Sequence, residues 1–126
     1  MALVLLFHIP EAKKRKIRLC AARQGVAVRE VAEEAFALPL GQLAGLEGFE
    51  AAQSAAEPFG EEMLVMAGLG RAQFSGFLDA LRRERVPVAL KAVLTETNAH
   101  WTPAALCREL RREHEAMRAS GGSIHR

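Results

Sequence analysis

The chain has no tyrosine, one tryptophan and two cysteines in 126 residues. Tyrosine is missing from any surface that would stack bases or form an aromatic belt at a membrane interface. Cys20 and Cys107 lie far apart, each among apolar neighbours in a predicted helix. They read as two buried thiols of a cytoplasmic protein, not as a disulfide framework. Neither belongs to a C-x-x-C pair, and His8, His100, His114 and His125 have no partner at metal-ligand spacing. No zinc site and no H-E-x-x-H centre is therefore expected. The Gly-x-Ser-x-Gly elbow of serine hydrolases is missing, as is the Gly-Lys-Ser/Thr ending of a phosphate-binding Walker loop. Net charge is scarce as well, at +2. No overall field selects a nucleic acid or an anionic membrane. The longest early apolar stretch, "ALVLLFHI", is too short to span a bilayer. Its basic residues follow the apolar run, the reverse of a secretory signal.

What is present describes a globule. Half of the residues are apolar and a quarter are charged, as in ordinary folded domains. The length fits a single domain with one core. Basic and acidic residues alternate finely, seven and seven in 1–60 and ten and eight in 61–126.

The chain reads twice. "MALVLLFHI" has the length and continuity of a buried strand. Pro10 and Glu11 open a helix to about Gln24, with Ile17, Cys20 and Ala21 on one face and Gly25 as its stop. "VAVREV" alternates as a second strand, and "PLGQLAGL" forms a short helix weakened by Gly41 and Gly45. Residues 47–60 are rich in Ala, Glu and Gly and read as a linker. The order then recurs. "EMLVMAG" is a strand, and 71–85 a helix with Phe74, Phe77, Leu78 and Leu81 at helical spacing. "VPVALKAVLT" is the fourth strand. Thr102 and Pro103 open the last helix, with Leu106, Leu110 and Met117 as its inner stripe. Residues 119–126 read as a tail.

Two strand-helix-strand-helix halves, 1–46 and 61–118, point to an internal duplication. Neither half can cover its own strands, so they must share one four-stranded sheet. The expected class is α/β in an α+β two-layer form, with a ferredoxin-like arrangement as the lead. A parallel three-layer sheet is the alternative, with 39–46 as a crossover.

Three places carry candidate chemistry. The connection "LKAVLTETNAHWTPAAL" gathers Lys91, Thr95, Asn98 and Trp101. Together they offer a cation, two hydrogen-bonding groups and a flat apolar face. Their plain structural roles are to satisfy loop backbone, pack on the sheet end and face solvent. The turn "AGLGRAQFSG" supplies Gly68, Gly70 and Arg71 before a helix, part of a dinucleotide fingerprint whose third glycine is replaced by Gln73. "KKRKIR" at 13–18 is the one dense basic cluster, and Lys13, Lys14 and Arg18 share a helix side.

The segments "EEMLVMAGL", "FLDALRR", "VALKAVLTETNAHWT" and "ELRREHE" resemble a bacterial domain of unknown function, the family numbered thirty-seven eighty-three, over about 60–116. The resemblance rests on Gly68, Phe77-Leu78, Lys91 to Thr95, Thr97, Asn98, Trp101 and the helix from Glu109 to Glu115. Glu96 departs from the proline that the family often has there. The resemblance implies a shared segment and a place for a common site, and it supplies no reaction.

The sequence thus favours a cytoplasmic, non-enzymatic module that binds a small ligand or a protein, with a homodimer among the possible assemblies and no cofactor or metal. A small nucleotide- or anion-binding enzyme at Gly68–Gly70, and RNA binding at 13–18, are the alternatives.

Overall fold

The computed structural model describes residues 2–49 and 57–124, with side chains as far as Arg118. Strand β1 (Leu3–Phe7) leads into helix α1 (Glu11–Arg23) and strand β2 (Ala27–Glu30). A 3-10 turn at Glu33–Ala35 and the one-turn helix α2 (Leu40–Leu43) follow. Strand β3 (Met63–Ala67), helix α3 (Arg71–Arg83) and strand β4 (Leu90–Val93) repeat the first three elements. A 3-10 turn at Asn98–His100 precedes helix α4 (Pro103–Ile124).

The single four-stranded sheet and the mixed α/β class are as read from the sequence. The strand order is β2-β1-β3-β4. Each outer pair is parallel, β1 with β2 and β3 with β4, while the central pair β1–β3 is antiparallel. This connectivity refines both topologies drawn from the sequence. Each half is a parallel strand-helix-strand crossover, and the two crossovers meet head to tail. The sheet is therefore neither all parallel nor ordered as in ferredoxin-like proteins.

The apolar strands explain why both sheet faces are covered. Successive side chains point to opposite faces. Val4, Leu6, Leu64 and Met66 face α1 and α3, meeting Ile17, Cys20, Phe77 and Leu81. Leu3, Leu5, Phe7, Met63 and Val65 face the other way, onto Phe36, Leu40, Leu106 and Cys107. A continuous apolar run is the signature of a strand buried on both sides, and β1 and β3 are buried at every position. The edge strands β2 and β4 are mostly exposed or half-buried. Cys20 and Cys107 are free, buried thiols, one on each face.

Several expectations change in detail. Gly41 weakens α2 as a helix residue, but a Cβ there would sit 2.6 Å from the Phe49 ring, so glycine makes room for that packing. Gly45 closes α2 in the left-handed region at φ 84°. Met117, expected on the inner stripe of α4, is 65% exposed and lines the rim of a small cavity with Leu90 and Leu110. That helix continues to Ile124, into the stretch read as a tail. Both ends of the expected linker are packed. Phe49 lies 4.8 Å from the His100 ring, and Phe59 stacks on Phe36 at 4.9 Å. Its middle, residues 50–56, lies outside the described residues.

Candidate functional site

The loop from β4 to α4 is held by one buried amide. Asn98 Oδ1 accepts the Thr95 backbone N–H at 2.8 Å, and its Nδ2 donates to the Val93 carbonyl at 3.1 Å. Thr95 Oγ1 in turn accepts the Asn98 backbone N–H at 3.1 Å. Asn98 is 8% exposed, so these bonds satisfy a side chain that burial would otherwise penalise. Trp101 comes next. Its N–H donates to the Asn98 carbonyl at 3.0 Å, and its own carbonyl accepts the Leu40 N–H at 2.8 Å, tying the loop to α2. Thr102 Oγ1 accepts the Ala105 N–H at 3.3 Å and caps α4.

Of the four residues singled out in this loop, Thr95 and Asn98 bond each other and Trp101 is joined to them through backbone. Lys91 is placed elsewhere. Its ammonium donates to the Val88 carbonyl at 3.2 Å, and it lines cavities that Trp101 does not reach.

The half-buried Trp101 heads a concavity of about 520 Å³ along the outer face of α4. Ala105, Arg108, Glu109 and Arg112 run down it at helical spacing. Its charges are organised in pairs: Arg108 with Glu57 at 2.8 Å, Arg112 with Glu109 at 2.8 Å, and Arg111 with Glu61 at 3.1 Å. Beneath Arg111, the Cys107 thiol donates to Glu61 Oε1 at 3.4 Å. Burial, then the Glu61 carboxylate beside it, pushes the Cys107 pKa up to about 11. Burial works to raise Glu61, but the Cys107 thiol, nearby backbone amides and the Arg111 charge bring it below the ordinary carboxylate value.

A second cavity, of about 380 Å³, opens where α3 ends. Lys91 lines it with Arg82 and Arg85. The sequence gives little sign of this cluster, because the amphipathic pattern of the helix runs on through Arg85 and the turn there contains no glycine.

The Gly68–Gly70 turn is built as a joint. Gly68 takes a left-handed φ of 73°, and Gly70 caps α3. The Gly70 N–H donates to Gln73 Oε1 at 2.9 Å, and Gln73 Nε2 donates to the Gln24 carbonyl at 3.0 Å, at the end of α1. Gln73, in the third fingerprint place, thus occupies an N–H that a phosphate would need. Arg71, the first residue of α3, is exposed.

The basic cluster at 13–18 is largely paired. Lys13 meets Glu62 at 2.7 Å, Lys14 meets Glu30 at 2.8 Å, and Arg18 also bonds Glu30. The hydrogen bond to Glu30 raises the Lys14 pKa, and the same bond lowers that of Glu30. Among the described residues no three His, Cys, Asp or Glu side chains gather as a metal set. Among them, too, no helix is long and apolar enough to cross a membrane.

Fold and surfaces together define a small mixed α/β protein of two antiparallel-joined crossover units, with concavities of about 520 and 380 Å³ along the second unit. That unit is the part that a family model matches. Residues 62–117, from β3 through most of α4, match the model described as a domain of unknown function (DUF3783), which establishes over that segment the resemblance seen in the sequence. No curated protein and no solved structure matches the chain.

Proposed function

We propose that the chain is a non-enzymatic, cytoplasmic protein-interaction module whose contact surface is the α4 face headed by Trp101. The observation that carries this reading is the concavity itself. A half-buried tryptophan stands at one end of about 520 Å³ of space lined by three arginines. Tryptophan and arginine are the side chains that most often dominate binding energy at protein interfaces. Each arginine is paired with a carboxylate of the same surface.

In this reading the two halves are copies of one ancestral unit. Leu3–Phe7 and Met63–Ala67 begin sixty residues apart, as do Glu11–Arg23 and Arg71–Arg83. The longer helix α4 is then what the second copy adds for binding. The alternative sites are less well supported. The Gly70 N–H is already bonded to Gln73, and the 13–18 cluster contains no aromatic side chain on which a base could stack.

The test compares capture by the immobilised full chain with capture by Trp101→Ala and Arg112→Glu, alongside sedimentation of each. A partner, or a second copy, that is held by the native chain and released by both variants is expected. Retention that neither substitution changes excludes the α4 face.

A further inference from the structure

The two halves end their equivalent helices in the same way with one difference. After α1, the Val26 N–H donates to the Ala21 carbonyl at 2.9 Å and the Gly25 N–H to the Ala22 carbonyl at 3.1 Å. After α3, the Val86 N–H donates to Leu81 at 2.9 Å and the Arg85 N–H to Arg82 at 3.1 Å. Both are Schellman ends, in which the residue after the cap turns left-handed and is usually glycine. Gly25 obeys, at φ 70°. Arg85 adopts the same conformation at φ 56°, where a Cβ is unfavourable. Its guanidinium makes no hydrogen bond or ion pair among the described residues.

A second difference falls in the same place. β1 pairs Leu3 with Ala27, whereas β3 pairs Met63 with Leu90. Three residues, Pro87, Val88 and Ala89, are therefore extra in the second half. Val88 turns into the core, the Pro87 carbonyl accepts the Lys13 ammonium at 2.7 Å, and beside Pro87 lies the cavity of about 380 Å³. Its apolar lining is Leu78, Leu81, Val86 and Pro87, and its cations are Arg82, Arg85 and Lys91. Arg82 also bonds Asp79 at 3.0 Å, while among the described residues the Lys91 ammonium has only the Val88 carbonyl. The volume lies in the range of small-molecule sites.

We propose that this cavity binds an amphipathic organic anion, with a carboxylate or phosphate head held by Arg85, Lys91 and Arg82 and an apolar tail on Leu78, Val86 and Pro87. The site is independent of the α4 face. The left-handed arginine and the local insertion fall together at this one cavity, beside three cations and an apolar wall. Strain kept at a non-glycine residue is typical of ligand clamps.

The test is an NMR titration of the full chain with octanoate and octyl phosphate, using acetate, inorganic phosphate and octylammonium as controls. The two tailed anions distinguish the head group. One or both should shift the Leu78 and Val86 methyls and the Arg85 amide, at concentrations where the three controls do not. Arg85→Gly should weaken binding about tenfold, the loss of one charged contact, and yet raise Tm, because glycine relieves the left-handed strain. Lys91→Gln should weaken binding with Tm unchanged. Equal binding of octylammonium, shifts confined to another surface, or native affinity in Arg85→Gly would overturn the proposal.

Discussion

Asn98 shows how a residue can look like a site and be a brace. Its side chain accepts one backbone hydrogen bond and donates another across the loop, from Thr95 to Val93. Replacing it by alanine removes the partner of the Thr95 N–H and of the Val93 carbonyl. Asn98→Ala should therefore cost about 1–3 kcal/mol, read as a lower urea midpoint at unchanged slope. Thr95 bonds through one oxygen and should matter less. The type and spacing of these residues were legible in the sequence, but the choice between brace and ligand contact was not, because it depends on which way the amide turns. Cys107 permits a sharper residue-scale prediction. Its folded pKa is raised from 9.0 to about 11 by burial and by Glu61. A raised pKa means that the folded state holds the proton more tightly. The associated stability is complete below the unfolded value and is lost as pH climbs from 9.0 toward about 11. Compared at pH 8 and pH 11, the native chain should lose more stability than Cys107→Ala. Parallel loss in the two proteins would show that the thiol plays no part. The thiol should also resist alkylation at neutral pH, since the thiolate is the reactive form.

At the scale of elements, helices and strands follow patterns that the chain displays openly. Phe77 and Leu81 lie on the buried face of α3 as their spacing implies, and β1 and β3 are the two uninterrupted apolar runs. Local periodicity could not reveal how the elements join. Gln73 looks like a failed glycine in a nucleotide-binding turn. In the structure it caps its own helix at Gly70 and reaches the Gln24 carbonyl at the end of α1. One side chain thus satisfies open backbone groups at the start of one helix and the end of another. Gln73→Ala should cost about 1 kcal/mol. It should also speed amide exchange at two separated places, the first turn of α3 and the last turn of α1. Faster exchange at α3 alone would mean that the bond to Gln24 does not stabilise the joint. Arg85 was concealed for a related reason. Apolar periodicity continues through the end of α3, and the left-handed turn carries none of the glycine that marks its counterpart at Gly25.

For the whole molecule, the decisive contact is the antiparallel pairing of β1 with β3, from Leu3 opposite Ala67 to Phe7 opposite Met63. Two similar crossover units related in this way approximate a dimer written in one chain. That relation has a consequence for the segment 62–117, which matches a family by itself. Without β1 it would expose one whole edge of β3, a strand buried at all five of its positions. Phe77 and Met66 would also lose Ile17 and Cys20 from their shared core. An open apolar edge is a template for pairing. The nearest substitute for β1 is the β3 of a second copy, because β1–β3 pairing is already antiparallel and an antiparallel pair of identical strands closes as a twofold dimer. The fragment 61–118 should accordingly lack a dispersed NMR spectrum when dilute and acquire one only as it dimerises. Sedimentation and spectral dispersion should then follow the same concentration dependence. A fragment that is folded and monomeric would show instead that β1 adds stability without completing the core, and that the second unit needs neither a first unit nor a copy of itself.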